Sequence, residues 1–208
     1  MSKNILYIAS QSQSRKKLLE ETGFTFTILD HKSDEESVND NGDFYQYVLD
    51  IARHKMDCVI MPEHSEKTGE TIFVLTADTL VRTKNSHQIF GKPCDVQHAK
   101  QMLRAYRAEP VEIVTGCCVE KKIWEDGTWK TQEIRQWTTV SYAELFIEED
   151  DLDIFLEGAP HAMRAAGSAI LEGFGQSFCK SVQGSYSSII GLPMFEVRQA
   201  LKELGFKF

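Results

Sequence analysis

The chain has 208 residues, 42% of them apolar and 26% charged, with a net charge of −8. That length fits one large domain or two small lobes, and the composition is ordinary for a soluble globular protein. The acidic balance argues against general binding to polymeric nucleic acid, which needs clustered Lys and Arg, and no apolar run is long enough to span a bilayer.

Asn4–Ser10 predicts a short first strand rather than a signal peptide, because polar Gln and Ser residues follow its apolar run at once. Ser10-Gln-Ser12-Gln-Ser14-Arg15-Lys16-Lys17 then opens a helix that Gly23 closes. A helix N-terminus beside Arg15, Lys16 and Lys17 fits an anion pocket, although this stretch taken alone reads more readily as a plain capped surface helix with solvated lysines. Phe24–Leu29 predicts a second strand. His31–Gly42 is a polar loop whose Asp34-Glu35-Glu36 is either a solvated acidic face or a source of oxygen ligands for Mg²⁺ or Mn²⁺.

Asp43–Ile60 has the period of a helix, with Phe44, Tyr47, Val48, Ile51, Ala52, Met56 and Val59 on one stripe. Lys55 falls on that stripe, so its ammonium either snorkels outward or points into a cleft. Met61–Glu70 is a polar linker. Ile72-Phe-Val-Leu-Thr-Ala-Asp78-Thr79-Leu-Val81 follows, a buried-strand pattern with one carboxylate set into it. A charge there is costly unless paired, hydrated or bound to a metal, so Asp78 sits at a strand end opening into a cleft or in a satisfied network.

Arg82–Ile89 predicts a hairpin, and Gly91-Lys92-Pro93 a stiff turn. That turn presents Lys92 to phosphate or simply to solvent. Asp95 caps a helix over Val96–Arg107, with Ala99, Met102, Leu103 and Tyr106 inward. Val111–Ile123 and Thr128–Phe146 predict long strands joined at Glu125-Asp126-Gly127. A helix over Glu148–Glu157, a flexible segment over Ala165–Gly175, a strand over Gln176–Val182, a polar turn over Gln183–Ser188 and a final helix over Met194–Leu204 complete the chain. The five cysteines (58, 94, 117, 118 and 179) form no C-x-x-C pair. They predict free thiols in a reducing cytoplasm.

In this order, several short segments resemble the signatures of the Maf family. They are Ala9-Ser10-x-Ser12-x-x-Arg15-x-x-Leu18-Leu19, Ile51-Ala52-Arg-His-Lys55, Ala77-Asp78-Thr79, Gly91-Lys92-Pro93, Thr115-Gly116, Ala166-Gly167-Ser168, Glu172-Gly173-Phe174-Gly175 and Gly191-Leu192-Pro193. The resemblance runs from residue 5 to about residue 204. It implies an α/β fold similar to the inosine triphosphate pyrophosphatases: a long, twisted mixed β-sheet flanked by helices, as one Maf-like domain over 1–208 with two lobes around a central cleft. It also implies hydrolysis of a nucleoside triphosphate to monophosphate and pyrophosphate with Mg²⁺ or Mn²⁺, a house-cleaning role and a homodimer.

By position, the resemblance makes Asp78 the catalytic base. It makes Arg15, Lys55 and Lys92 phosphate-binding cations, and Ser10 a serine of the opening loop. Glu36, or its neighbour Glu35, becomes the acidic residue that joins Asp78 on a metal. Asp78 and Lys55, the two charges that break their local patterns, are expected to face each other across the cleft. The family usually reads Ser-Pro-Arg-Arg where this chain has Gln13 and Ser14 before Arg15, leaving Lys16 or Lys17 to compensate. That loss favours an alternative, a catalytically impaired nucleotide-binding protein acting in division and septum control. Asp78-Thr79 resembles members acting on dTTP and UTP. Glu172-Gly-Phe-Gly resembles members acting on 7-methyl-GTP, and the balance of closing matches leans to the latter.

Overall fold

A computed structural model describes residues 4–63, 65 and 68–208. The expected Met61–Glu70 linker therefore lies partly outside the described residues, as do the first three residues of the chain. Seven strands form one mixed sheet in the order β2-β1-β3-β5-β6-β7, with β4 paired to β3. The strands are β1 (Leu6–Ile8), β2 (Phe26–Ile28), β3 (Thr71–Thr83), β4 (Ile89–Phe90), β5 (Val111–Glu125), β6 (Thr128–Leu145) and β7 (Cys179–Gln183). Strand β1 runs parallel to both β2 and β3, with Leu6 opposite Phe26 and Phe73. β4 and β7 add antiparallel edges. The helices are α1 (Gln13–Glu21), α2 (Phe44–Asp57), α3 (Val96–Ala105), α4 (Leu152–Gly158), α5 (Tyr186–Ile190) and α6 (Met194–Glu203).

The chain divides into two units. The first holds the residues up to Asp78, Gly116–Thr138 and Gly191–Phe208; the second holds Thr79–Thr115 and Thr139–Ile190. Strands β3, β5 and β6 each begin in one unit and end in the other.

In the first unit, α1 starts where the Ser12 side chain accepts the Arg15 N–H, and α2 where Asp43 accepts from the N–H groups of Tyr45 and Gln46. These caps satisfy amides that a helix start leaves without partners. α2 buries Phe44, Val48, Ile51, Ala52, Lys55 and Met56, most of the stripe expected from its period with the lysine included, while Tyr47 is half-buried and Val59 lies beyond the helix end. Gly116 of β5 lies against this helix so closely that an added Cβ would be 2.7 Å from the Val48 carbonyl oxygen. Phe206 packs edge-on against Phe73 of β3 at 5.1 Å and joins Phe24 and Phe208 in an aromatic cluster.

In the second unit, a core of Val81, Phe90, Met102, Leu103, Tyr106, Val111, Ile113, Leu145, Leu152, Phe155 and Leu171 lies under α3 and α4. Asp95 caps α3 by accepting from the His98 N–H at 2.7 Å. Glu112, buried on β5, takes hydrogen bonds from Arg82 and from the Tyr142 hydroxyl, so its charge is paired. The β5–β6 turn at Asp126-Gly127 takes positive φ at both residues, 53° and 75°, the geometry that suits a two-residue hairpin.

Three expectations change. The segment Ala165–Gly175 is ordered into 3-10 turns at Ala166–Ser168 and from Gly173, with Gly167, Ser168 and Gly175 buried. The last strand starts at Cys179, because that second 3-10 turn runs to Phe178. Tyr186–Ile190 is a short helix where a polar turn was expected. In the first case small residues and glycines, read as loop formers, pack into tight turns that periodicity does not register. All five cysteines are free, and burial pushes the Cys117 thiol up.

Candidate functional site

The site is assembled within the first unit, where the carboxyl end of β1 adjoins the middle of β3, so Asp78 lies inside its strand and not at a strand end. Ser10 follows β1, Ala77 and Asp78 follow the segment of β3 that pairs with β1, and α1 begins just beyond Ser10. The topology makes this a natural ligand position, because the end of β1 meets a helix N-terminus there.

Lys55 Nζ donates to Asp78 Oδ1 at 2.6 Å, and both side chains are buried, 7% and 8% exposed. The same ammonium lies 2.9 Å from Glu35 Oε1, whose side chain is 42% exposed. One cation thus joins a buried carboxylate to a solvent-facing one. Asp78 and Lys55 are in direct contact rather than facing each other over open space. This settles the conflict each made with its own pattern: the costly carboxylate in β3 is compensated by the costly ammonium on α2. The compensation is incomplete, since Asp78 Oδ2 is buried with no hydrogen-bond partner among the described residues. An unfilled buried oxygen of this kind is a place for a water or a cation.

Arg15 is buried, 8% exposed. Its Nε donates to the Gly191 carbonyl at 2.7 Å, and one terminal nitrogen donates to the Ala77 carbonyl at 2.8 Å and to Ser10 Oγ at 3.3 Å. Ser10, itself 4% exposed, also accepts the Ser12 N–H. The guanidinium is therefore fixed by main-chain carbonyls next to Asp78. Of the two lysines beside it, Lys16 is half-buried, and Lys17 points to solvent and pairs with Glu21 at 3.7 Å on the helix surface. Of the two acids offered for a metal, Glu35 reaches Lys55, while Glu36 is exposed and engages its main-chain N–H with Asp34.

Two residues of this site carried no functional signal in the sequence. His31, whose Nδ1 lies 2.7 Å from Ser33 Oγ, has its imidazole held below the usual value. Burial is the main cause, with repulsion from Lys55 and Arg15 added, against a smaller pull from Glu35 and Asp30. Burial likewise pushes the Tyr47 phenol up, helped by Asp40, Asp78 and Glu35. The carbonyls of Gly191 and Ala77 are a third omission, since a carbonyl leaves no residue-type signature.

The other expected residues belong to the second unit. Thr79 Oγ1 lies 3.0 Å from Thr115 Oγ1, which donates to the Ser188 carbonyl at 2.8 Å. Lys92 is exposed between Gly91 and the buried Pro93. Glu172 is half-buried and leads into the 3-10 turn, where its carbonyl accepts the Gly175 N–H.

No cluster of three or more His, Cys, Asp or Glu side chains among the described residues is arranged to hold a metal ion. The donors present still fit a divalent cation that arrives with a polyphosphate. Mg²⁺ commonly takes one or two carboxylates and fills its remaining positions with phosphate oxygens and water. Asp78 Oδ2 offers one such donor without losing an existing bond, and Glu35 is the second carboxylate at hand.

A site that pairs a buried ammonium with a half-satisfied carboxylate beside a helix N-terminus defines a mixed α/β protein equipped to bind and polarise an anionic ligand. The model of a family described as Maf-like protein matches residues 5–204, and the chain belongs to that family. It is similar to proteins named dTTP/UTP pyrophosphatase from three bacteria. The one from Anaeromyxobacter dehalogenans (strain 2CP-C) is 32% identical, over 97% of this chain and 94% of its own. The one from Nitrosospira multiformis is 32% identical over 96% and 94%, and the one from Halalkalibacterium halodurans 30% over 97% and 96%. Among solved structures, a HAM1 protein from Coxiella burnetii aligns over 69% of this chain and 73% of its own at 14% identity, with a TM-score of 0.33, too low to speak to the fold.

Proposed function

We propose that this chain is a nucleoside triphosphate pyrophosphatase that hydrolyses dTTP and UTP to the monophosphate and pyrophosphate. The observation that carries the reading is the buried Lys55–Asp78 pair with Asp78 Oδ2 left unfilled. The names of the relatives supply the substrate class, and Thr79 after Asp78 agrees with the pyrimidine members.

A water at Asp78 Oδ2 would be held and polarised by a carboxylate whose other oxygen is fixed by Lys55. In the reaction, the water oxygen bonds to the α-phosphorus as the bond to the bridging oxygen of the β-phosphate breaks. The proton passes to Asp78, and pyrophosphate leaves. Lys55 and Arg15 hold fixed positive charge at this end of the site, and such preorganised charge favours a transition state in which negative charge builds on the departing bridging oxygen. A bound Mg²⁺ or Mn²⁺ would neutralise further phosphate charge, with Asp78 and Glu35 as its protein ligands. Lys92 as a further phosphate cation, and Thr79 and Glu172 as base-contacting residues, are parts of the same proposal. So is a homodimer in the cytoplasm, checked by light scattering on the purified protein.

Glu172, with the closing matches around it, favours 7-methyl-GTP, since a carboxylate complements a cationic methylated base. The test is pyrophosphate release from a panel of dTTP, UTP, the other canonical triphosphates and 7-methyl-GTP, each with Mg²⁺ or Mn²⁺. Release from dTTP and UTP is expected, with Asp78→Asn lowering kcat roughly 10²- to 10⁴-fold in a protein that still folds. Parent-like turnover by Asp78→Asn would sink the mechanism. Nucleotide binding without release from any substrate would favour the impaired binding protein that Ser14 suggests.

A further inference from the structure

The second unit contains a hydrogen-bond chain that the proposed reaction does not use. Tyr106 closes α3 and is 2% exposed, and its hydroxyl donates to the Gly167 carbonyl at 2.6 Å. The Gly167 N–H in turn donates to the Gly91 carbonyl at 2.8 Å. Gly91 is the residue before Lys92. The Tyr106 ring also meets the Phe90 ring edge-on at 5.5 Å, so the side chain touches Phe90 directly and reaches the next residue, Gly91, through Gly167.

The turn at Gly167 is built for this contact. Gly167 takes φ +65°, and a Cβ there would be 2.1 Å from the Tyr106 hydroxyl. Ser168 follows at φ +56°, fully buried, with its Oγ lacking a hydrogen-bond partner among the described residues. A non-glycine residue persists in that conformation only where its surroundings impose it, and such outliers collect at functional segments. Burial pushes the Tyr106 phenol up, so the hydroxyl remains a donor at any working pH.

We propose that Tyr106 is a positioning residue: through Gly167 it fixes the Gly91 carbonyl and so sets where Lys92 is presented to the triphosphate. The proposal rests on the reading of Lys92 as a phosphate-binding cation. An exposed lysine on an untethered turn would lose entropy on every binding event. A tethered turn has met that cost on folding. The arrangement also links the Lys92 turn to the Ala166–Ser168 turn that precedes Glu172, so one hydroxyl holds both segments in register.

The test uses Tyr106→Phe, Lys92→Ala and the double variant, with KM and kcat for the preferred triphosphate, the urea midpoint, and hydrogen exchange of the 90–95 segment. The ring and its contact with Phe90 survive in Tyr106→Phe, so folding is expected to be kept. Faster exchange at 90–95 is expected, with KM raised roughly tenfold or more and kcat less affected. The double variant is expected to be no worse than Lys92→Ala alone, because a residue acting through Lys92 has nothing left to position. Parent-like exchange and kinetics in Tyr106→Phe would overturn the proposal, as would losses that multiply in the double variant. Lys92→Ala with parent-like kinetics, alongside faster exchange in Tyr106→Phe, would instead overturn the role of Lys92 and leave the tether standing.

Discussion

Replacing Gly116 by Ala tests whether the site depends on how closely β5 approaches α2. The added Cβ would lie 2.7 Å from the Val48 carbonyl oxygen, 2.9 Å from the Val48 carbonyl carbon and 3.0 Å from Leu49 Cα. All three are main-chain atoms of α2, so no side-chain rotation can relieve the contact, and the helix must move by several tenths of an ångström. Gly116 is not at positive φ, so the effect is steric rather than conformational. Overpacking of this kind costs about 1–3 kcal/mol. With urea m-values of about 1–3 kcal/mol/M, the midpoint should fall by roughly 1 M at unchanged slope.

The displaced helix carries Lys55 two turns further on. It also carries Ala52, whose carbonyl takes the Thr76 hydroxyl at 2.7 Å, so the helix is tied to β3 just before Asp78. The Lys55–Asp78 contact should therefore loosen, and kcat should fall along with stability. Gly91→Ala is the control for stability, because a Cβ at Gly91 meets open space and the change should stay within about 0.5 kcal/mol. A Gly116→Ala protein with the parent's urea midpoint and kcat would refute the argument that this close approach positions the site.

Lys55→Met leaves Asp78 buried and unpaired, which should cost about 3–5 kcal/mol, whereas Lys17→Met removes only a surface pair worth about 0–1 kcal/mol. Adding Asp78→Asn to Lys55→Met should recover much of the loss, and equal thermal stability of the two single lysine variants would disprove the buried-pair reading. His31 makes stability depend on pH. Its folded value lies below the unfolded 6.5, so protonating it costs the folded state more than the unfolded one. Stability should be insensitive to it above about pH 6.5, decline as pH falls from there to the folded value, and level off below. His31→Asn should lack that part of the decline, and superimposable stability–pH curves would show that His31 plays no such part.

What could be read without the structure was mostly conflict between a residue and its pattern. Asp78 in an apolar strand and Lys55 on an apolar stripe stood out because burying a charge is costly. The structure resolves both conflicts with one bond. Helix starts at Ser12, Asp43 and Asp95 and the Asp126-Gly127 turn were legible because capping and left-handed turns demand particular residue types. What stayed hidden was carried by main-chain atoms or by near-equivalent neighbours. The Gly191 and Ala77 carbonyls that hold Arg15 have no side-chain signature. Glu35 and Glu36 differ only in which direction a short 3-10 turn points them. Ala165–Gly175 read as flexible because small residues suit both mobile loops and tight buried turns, and it is packing, of Tyr106 on Gly167 and of Gly175 on the Ile170 carbonyl, that distinguishes the two.

The hydrogen bond from Arg15 to the Gly191 carbonyl spans 176 positions of sequence. Beyond Gly191, the C-terminal segment pairs back onto the start of the chain, with the Asn4 N–H on the Lys207 carbonyl and the Lys207 N–H on Asn4 Oδ1. In synthesis, Arg15 emerges 176 residues ahead of that carbonyl partner. A chain interrupted before Gly191 would carry Lys55, Asp78 and the Ala77 carbonyl but lack one of the two carbonyls that hold the guanidinium. Seating of the arginine is thus a late step in the assembly of this cationic site.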